Sequence, residues 1–334
     1  SRGLGDVYKR QPMNNTLKNF LKAIPIPICG LILGTESLGN LLFSEGFEGI
    51  GNIFCYTGLL MILVFLLKIV FTFNDTMAAL RNPIIASVAP TFTMALMVVS
   101  VFLDRLFPNQ IMNNALWVTA IILHLALMGY FIAVHILPVE VTLEYVYPSW
   151  FITFVGIGVI PNTSTVFIKE LGQVAVWIAL ALYLILLPII VKRILHKKIF
   201  EDSAIPLITI LTAPGSLCLA GYLSVCNQVS FPFVIGLLIL SQLIYLCIVF
   251  NMKRMLKVGF YPSYAAFTFP LVISATAIFK ASKVFEELPI LLTVTKALSI
   301  LETLLAILVV CYVLVKYVIH LYDQTKVLKV NREF

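Results

Sequence analysis

The chain has 334 residues, of which 60% are hydrophobic and 12% charged, with a formal net charge of +7. Soluble domains average about 45–50% apolar and about 25% charged residues, so this composition excludes a soluble enzyme, a disordered chain and a secreted disulfide scaffold. The basic excess would suggest nucleic acid in a soluble protein; here it sits in short loops between apolar blocks long enough to cross about 30 Å of hydrocarbon, and no nucleic-acid partner is expected.

Residues 1–12 are polar and aperiodic and precede Met13. They read as a non-native tag or assembly scar, followed by a single membrane domain over 13–334. Ten apolar blocks then succeed one another. The first five are Phe20–Leu42, Gly51–Phe73, Pro83–Leu103, Asn113–Ile136 and Pro148–Ile168, and the second five are Leu171–Val191, Ala204–Val225, Phe231–Phe250, Tyr261–Phe279 and Pro289–Ile319. Fourteen Lys and Arg fall on the side of the N-terminus: Lys18, Lys22, Arg81, Lys192, Arg193, Lys197, Lys198, Lys253, Arg254, Lys257, Lys316, Lys326, Lys329 and Arg332. Only Arg105, Lys169, Lys280 and Lys283 fall on the other. That asymmetry predicts a multi-pass protein of the cell membrane with both termini cytoplasmic. The six cysteines show no CxxC pair and no His partner at metal spacing, so no metal and no cofactor is expected.

Proline divides the blocks into two classes. Odd blocks carry it internally (Pro25, Pro27, Pro90, Pro161, Pro214, Pro270), whereas even blocks carry it near an end (Pro138, Pro188, Pro232, Pro289) or not at all. An internal proline deletes a backbone hydrogen bond, and in lipid the freed carbonyl must find a partner inside the bundle or beside water. The prolines recur about once per helical hairpin. The predicted fold is therefore all-α and polytopic: ten transmembrane helices as five hairpins, with an inner ring of five kinked helices forming a pore and an outer ring of five straight ones. Gly30 and Gly34 in the first block add close approach or open space along the axis. The odd interiors hold hydroxyls such as Ser37, Ser87, Thr91, Thr153 and Thr276 but no Lys, Arg or His, and a single acid, Glu36. Such a lining suits weak, fast binding of a small anion, and Glu36 is the one candidate proton or charge site. Outside the inner blocks, Lys68, Lys296 and Glu302 are expected to snorkel or to pair between subunits, and His124 and His135 to have packing or hydrogen-bonding roles.

Five stretches carry a resemblance: IPIPICGLILGTESLG, NPIIASVAPTFTMAL, YPSWFITFVGIGVIP, LTAPGSLCLAGY and YAAFTFPLVISATA, one in each odd block. Through them the chain resembles the tellurite-resistance/C4-dicarboxylate transporter family, with its TehA-like bacterial members and the plant slow-type (SLAC-like) anion channels. The resemblance implies ten helices, a five-helix central pore, a homotrimer with one pore per subunit, and a phenylalanine blocking the pore from the ninth span. That phenylalanine corresponds to Phe269, directly before Pro270, and Phe154 corresponds to a second pore position. Glu36 departs from the family's uncharged first span.

The expected function is passage of small anions such as nitrate or chloride, by a channel or uniporter gated by a phenylalanine. The alternative is a proton-coupled dicarboxylate or sulfite carrier of the same fold. The partners expected are small inorganic or carboxylate anions and the lipid bilayer. No HExxH, GxSxG or P-loop occurs, so an enzyme is not expected.

Overall fold

The computed structural model describes residues 17–196 and 201–330, with side chains to residue 326. The expected scar over 1–12, Met13, Lys197, Lys198, Arg332 and the side chain of Lys329 lie outside the described residues. Among the described residues there are helices and turns but no strand. A leading helix, Leu17–Ala23, bends by 81° into α1, Ile28–Ser44. There follow α2, Glu48–Phe71; α3, Pro83–Leu106; α4, Ile111–Ile136; α5, Trp150–Val166; α6, Lys169–His196; α7, Asp202–Val225; α8, Phe231–Met255; α9, Pro262–Val284; and α10, Pro289–Val330.

Burial separates these helices as proline separates them in the sequence. Of the most apolar stretch of each, 78% is buried in α3, 89% in α7 and 78% in α9, against 28–39% in α2, α4, α6, α8 and α10. In α1, 13 of 17 residues are buried. The odd helices are the interior, and the even ones turn Leu, Ile and Val outward, as a lipid-facing surface requires. The protein is thus an all-α polytopic membrane protein. By length and composition eight helices can cross a membrane among the described residues, and nine if the bent pair at the start counts as one. The fifth expected span is shorter and broken: α5 has 17 residues, interrupted by a 3-10 turn at Gly156–Gly158 and ending in another at Ser164–Val166.

Each inner helix is broken along its length, and prolines mark or adjoin the breaks. Pro27 caps the regular run of α1, and Pro90 that of α3. In α7 an 11-residue 3-10 run, Asp202–Thr212, gives way to α-helix at Ala213–Pro214. In α9 the 3-10 turn Pro262–Phe267 gives way at Phe269–Pro270. Threonines beside the breaks accept the task of satisfying freed carbonyls: Thr91 donates to Val88 O at 2.8 Å, Thr93 to Pro90 O at 2.8 Å, Thr212 to Thr209 O at 3.0 Å and Thr268 to Ala265 O at 2.7 Å. Much of the hydroxyl inventory therefore serves the backbone. Lys68 of α2 does the same at the first bend, its Nζ donating to Leu21 O at 3.2 Å and Lys22 O at 3.5 Å; it neither snorkels nor waits for another subunit. Pro188, expected at an end, lies inside α6, because that helix runs on to His196.

The inner helices contact one another in the order α1, α3, α5, α7, α9, and α9 returns onto α1. The closing seam is tight. Thr268 Oγ1 donates to Gly30 O at 3.0 Å across 238 residues of sequence, and a Cβ on Gly34 would meet Thr268 Oγ1 at 2.5 Å and the Phe269 backbone nitrogen at 2.9 Å. Between the rings, α1 and α2 meet through Gly39 and Gly51, where a Cβ on Gly39 would stand 2.7 Å from Gly51 O. The Gly39→Ala variant should therefore lose about 1–3 kcal/mol, read as a lower Tm of the detergent-purified protein. Gly129→Ala, with nothing within 4 Å of the added methyl, should match the parent.

Candidate functional site: a conduit in two compartments

The five inner helices run in the same direction and enclose two cavities, one above the other. The cavity at their N-terminal ends holds about 690 Å³ of empty space and the one at their C-terminal ends about 830 Å³. Only two side chains line both, Phe269 of α9 and Leu217 of α7. They form the partition. Phe269 leaves 7% of its surface accessible and Leu217 leaves 3%. Each is seated by glycine: Gly34 admits the backbone of Phe269 against α1, and a Cβ on Gly158 would stand 3.0 Å from Leu217 Cδ2.

The two compartments differ in chemistry. The N-terminal one is walled by Leu33, Val88, Met94, Ile210 and similar groups, with only the hydroxyls of Thr91 and Ser263 among them. Thr91 is engaged with its own helix, whereas Ser263 Oγ is buried without a protein partner. No side chain caps the α-helical runs that begin at Ile28, Thr91, Ala213 and Phe269. Their starting residues, among them Pro27, Thr91, Ala213 and Phe269, line this compartment. Their first N–H groups are met by the preceding turns: Ile28 donates to Pro25 O at 3.1 Å, Gly30 to Pro27 O at 3.0 Å and Leu271 to Thr268 O at 3.1 Å.

The C-terminal compartment is the more polar of the two, although Leu41, Val98, Val101, Val159, Ile273 and Phe279 still form much of its wall. Ser37, Asn40 and Ser44 of α1, Asn162 and Thr163 of α5, and Thr276, Lys280 and Lys283 of α9 line it. This corrects the expectation of a conduit without fixed charge. The ninth block was expected to end at Phe279, but α9 continues to Val284, and both lysines stay on the inward face. The signal was in the sequence: Phe269, Ile273, Thr276, Lys280 and Lys283 follow one another at steps of four and three, one face of a helix.

Other expected site residues divide plainly. Pro27, Gly30, Pro214 and Pro270 line the N-terminal compartment, and Phe269 lines both. Gly34, Pro90 and Pro161 line neither: Gly34 packs on Thr268, Pro90 sits at the break in α3, and Pro161 presses on Gly221. Phe154 faces the outer ring, its ring centroid 6.2 Å from that of Phe131 and 6.1 Å from that of Trp150. Glu36 also turns away from the conduit. Its fully buried carboxylate lies against Gly58 of α2, where an added Cβ would touch it at 2.6 Å, and neither oxygen has a protein hydrogen bond. His124 Nδ1 shares a 2.8 Å hydrogen bond with Thr93, and His135 Nε2 lies 2.9 Å from Leu80 O. Glu302, buried in α10, faces Ser274 and Gln242 of the same subunit.

Two comparisons bear on this arrangement. The family model described as SLAC1, voltage-dependent anion channel, matches residues 24–318. A protein of Methanocaldococcus jannaschii whose name reads uncharacterized transporter is 23% identical over 310 residues, covering 82% of this chain and 88% of that protein. The matched region spans all five inner helices.

Because Phe154 packs between helices, Phe154→Ala should cost about 2–4 kcal/mol of stability while leaving permeability to ions unaltered. Thermal unfolding in detergent and flux into liposomes read the two quantities separately.

Proposed function

The chain belongs to the SLAC1 family of voltage-dependent anion channels, and on that premise we propose that it passes small anions such as nitrate or chloride through the central conduit, with the ring of Phe269 as the gate. Membership itself makes it a multi-pass membrane protein of an anion channel and transporter family. The observation that carries the finer reading is the place of Phe269, between an apolar chamber and one that holds the lysine, hydroxyl and amide groups. A hydrated ion cannot exchange its water shell for a phenyl ring and a leucine side chain, so the closed partition excludes it. Rotation of one side chain about a fixed backbone joins the two compartments, and Gly34 holds that backbone in place. We further propose that both termini are cytoplasmic, which puts the N-terminal compartment on the cytoplasmic side, and that the protein works as a homotrimer with one conduit per subunit.

A proton-coupled carrier of dicarboxylate or sulfite is the second reading, and it needs an acid or histidine that faces the substrate path. Glu36 lines neither compartment, and His124 lies behind Gly156, outside the lining. The channel reading is favoured for that reason.

Currents through the purified protein in planar bilayers test both. Phe269→Ala should raise anion conductance more than about tenfold with little loss of stability, because removing the ring opens the partition. Phe267→Ala, fully buried beside Tyr264, should instead cost about 3–5 kcal/mol and leave conductance per folded protein unchanged. A closed Phe269→Ala protein would place the gate elsewhere. Glu36→Gln should leave both the flux and its pH dependence as they are; loss of a pH dependence in that variant would favour the carrier.

A further inference from the structure

The head group of Lys280 lies in the wall of the C-terminal compartment. It donates to Ser224 Oγ, to Asn162 Oδ1 at 3.4 Å and to Ala220 O at 3.4 Å. All three partners are neutral, two of the bonds are at the long limit, and no carboxylate lies within ion-pair distance among the described residues. An ammonium ion held this way keeps its charge uncompensated. Its orientation is built rather than incidental. The amide of Asn162 is fixed by donating to Gly158 O at 2.8 Å and to Leu217 O at 3.1 Å, which turns its carbonyl oxygen to Lys280. Ser224 is likewise fixed, donating to Ala220 O at 2.7 Å. The same asparagine thus ties the lysine to the carbonyl of a partition residue, Leu217.

Of the other polar groups in this lining, Thr276 already donates to Val272 O at 2.9 Å and Asn40 to Val98 O at 3.4 Å, which leaves the Ser37 hydroxyl and the second amide proton of Asn40 as neutral donors. Lys283, one turn further on, is exposed and lies over the Phe279 ring at 4.6 Å, at the outer end of the same stripe. We infer that Lys280, positioned by Asn162 and accompanied by the donors of Ser37 and Asn40, forms an anion-binding site in the C-terminal compartment that takes a monovalent, weakly hydrated anion and raises its concentration beside the Phe269–Leu217 partition. Monovalence follows from what lies beyond. The cost of stripping water from an ion grows with the square of its charge, and the N-terminal compartment offers no side-chain charge to offset a second one. A fixed cation in a low-dielectric cleft raises local counter-ion concentration by about tenfold or more at low salt, an effect that screening removes.

This inference rests on the proposed anion conduction, but its test separates the two. Single-channel currents are measured for the parent and for Phe269→Ala, each with and without Lys280→Gln, in sodium nitrate from about 10 mM to about 1 M. Stabilisation of the detergent-solubilised proteins by nitrate is measured alongside. Lys280→Gln should lower conductance about tenfold at the low end and leave it nearly unchanged at the high end, and it should abolish the nitrate-dependent rise in Tm. Lys280→Arg should restore both, which a merely structural defect would not allow. Sodium malate should give no comparable stabilisation. Unchanged low-salt conductance and unchanged stabilisation in Lys280→Gln would overturn the site, and malate matching nitrate would overturn its monovalence. If no protein conducts but nitrate stabilises the parent in a Lys280-dependent way, the site stands and the channel reading falls.

Discussion

A peptide carbonyl inside a membrane has no water to bind, and everything in this molecule depends on how that constraint is met. Five helices are broken near prolines, so each carries carbonyls that its own ladder cannot use. They are answered within the protein by neighbouring threonines, by Lys68 at the first bend, and by Thr268 reaching across to Gly30. Helices with such repairs cannot face lipid. They collect in the interior, and five unbroken helices with Leu, Ile and Val on their outer faces surround them. The conduit follows from the same breaks, because a helix interrupted along its length leaves space beside its axis.

The broad plan was readable from the sequence for the same reason. Proline in the odd blocks is a local signal with one physical outcome in lipid, and Phe269 stands beside such a proline at the head of a stripe spaced by four and three residues. What the sequence obscured depends on which way side chains turn. Glu36 and Ser37 are adjacent, yet one faces Gly58 of the outer ring and the other lines the conduit. Phe154 stands in a stretch that points to a pore, but a short helix broken by a 3-10 turn rotates it onto Phe131 and Trp150. Lys280 was misplaced by length alone: hydropathy ends the ninth block at Phe279, whereas hydrogen bonding carries the helix to Val284. Leu217 carries no distinguishing mark in a chain so rich in leucine, and only the glycine facing it, Gly158, marks its place in three dimensions.

The two compartments differ in chemistry. The N-terminal one is walled by hydrocarbon, with Thr91 and Ser263 as its hydroxyls. The lysines, hydroxyls and amides gather at the other end.

The direction of the inner helices has one more consequence. Because every hairpin enters from the same face, a turn about the conduit axis carries one hairpin approximately onto the next, but no operation exchanges the two mouths. Transporters built from inverted repeats can swap inward- and outward-facing forms by letting their halves trade conformations. This architecture has no halves to trade. Its two sides are chemically unlike by construction: lysines, hydroxyls and amides at one end of the inner ring, hydrocarbon at the other. That polarity is inherited from the order in which the chain was threaded.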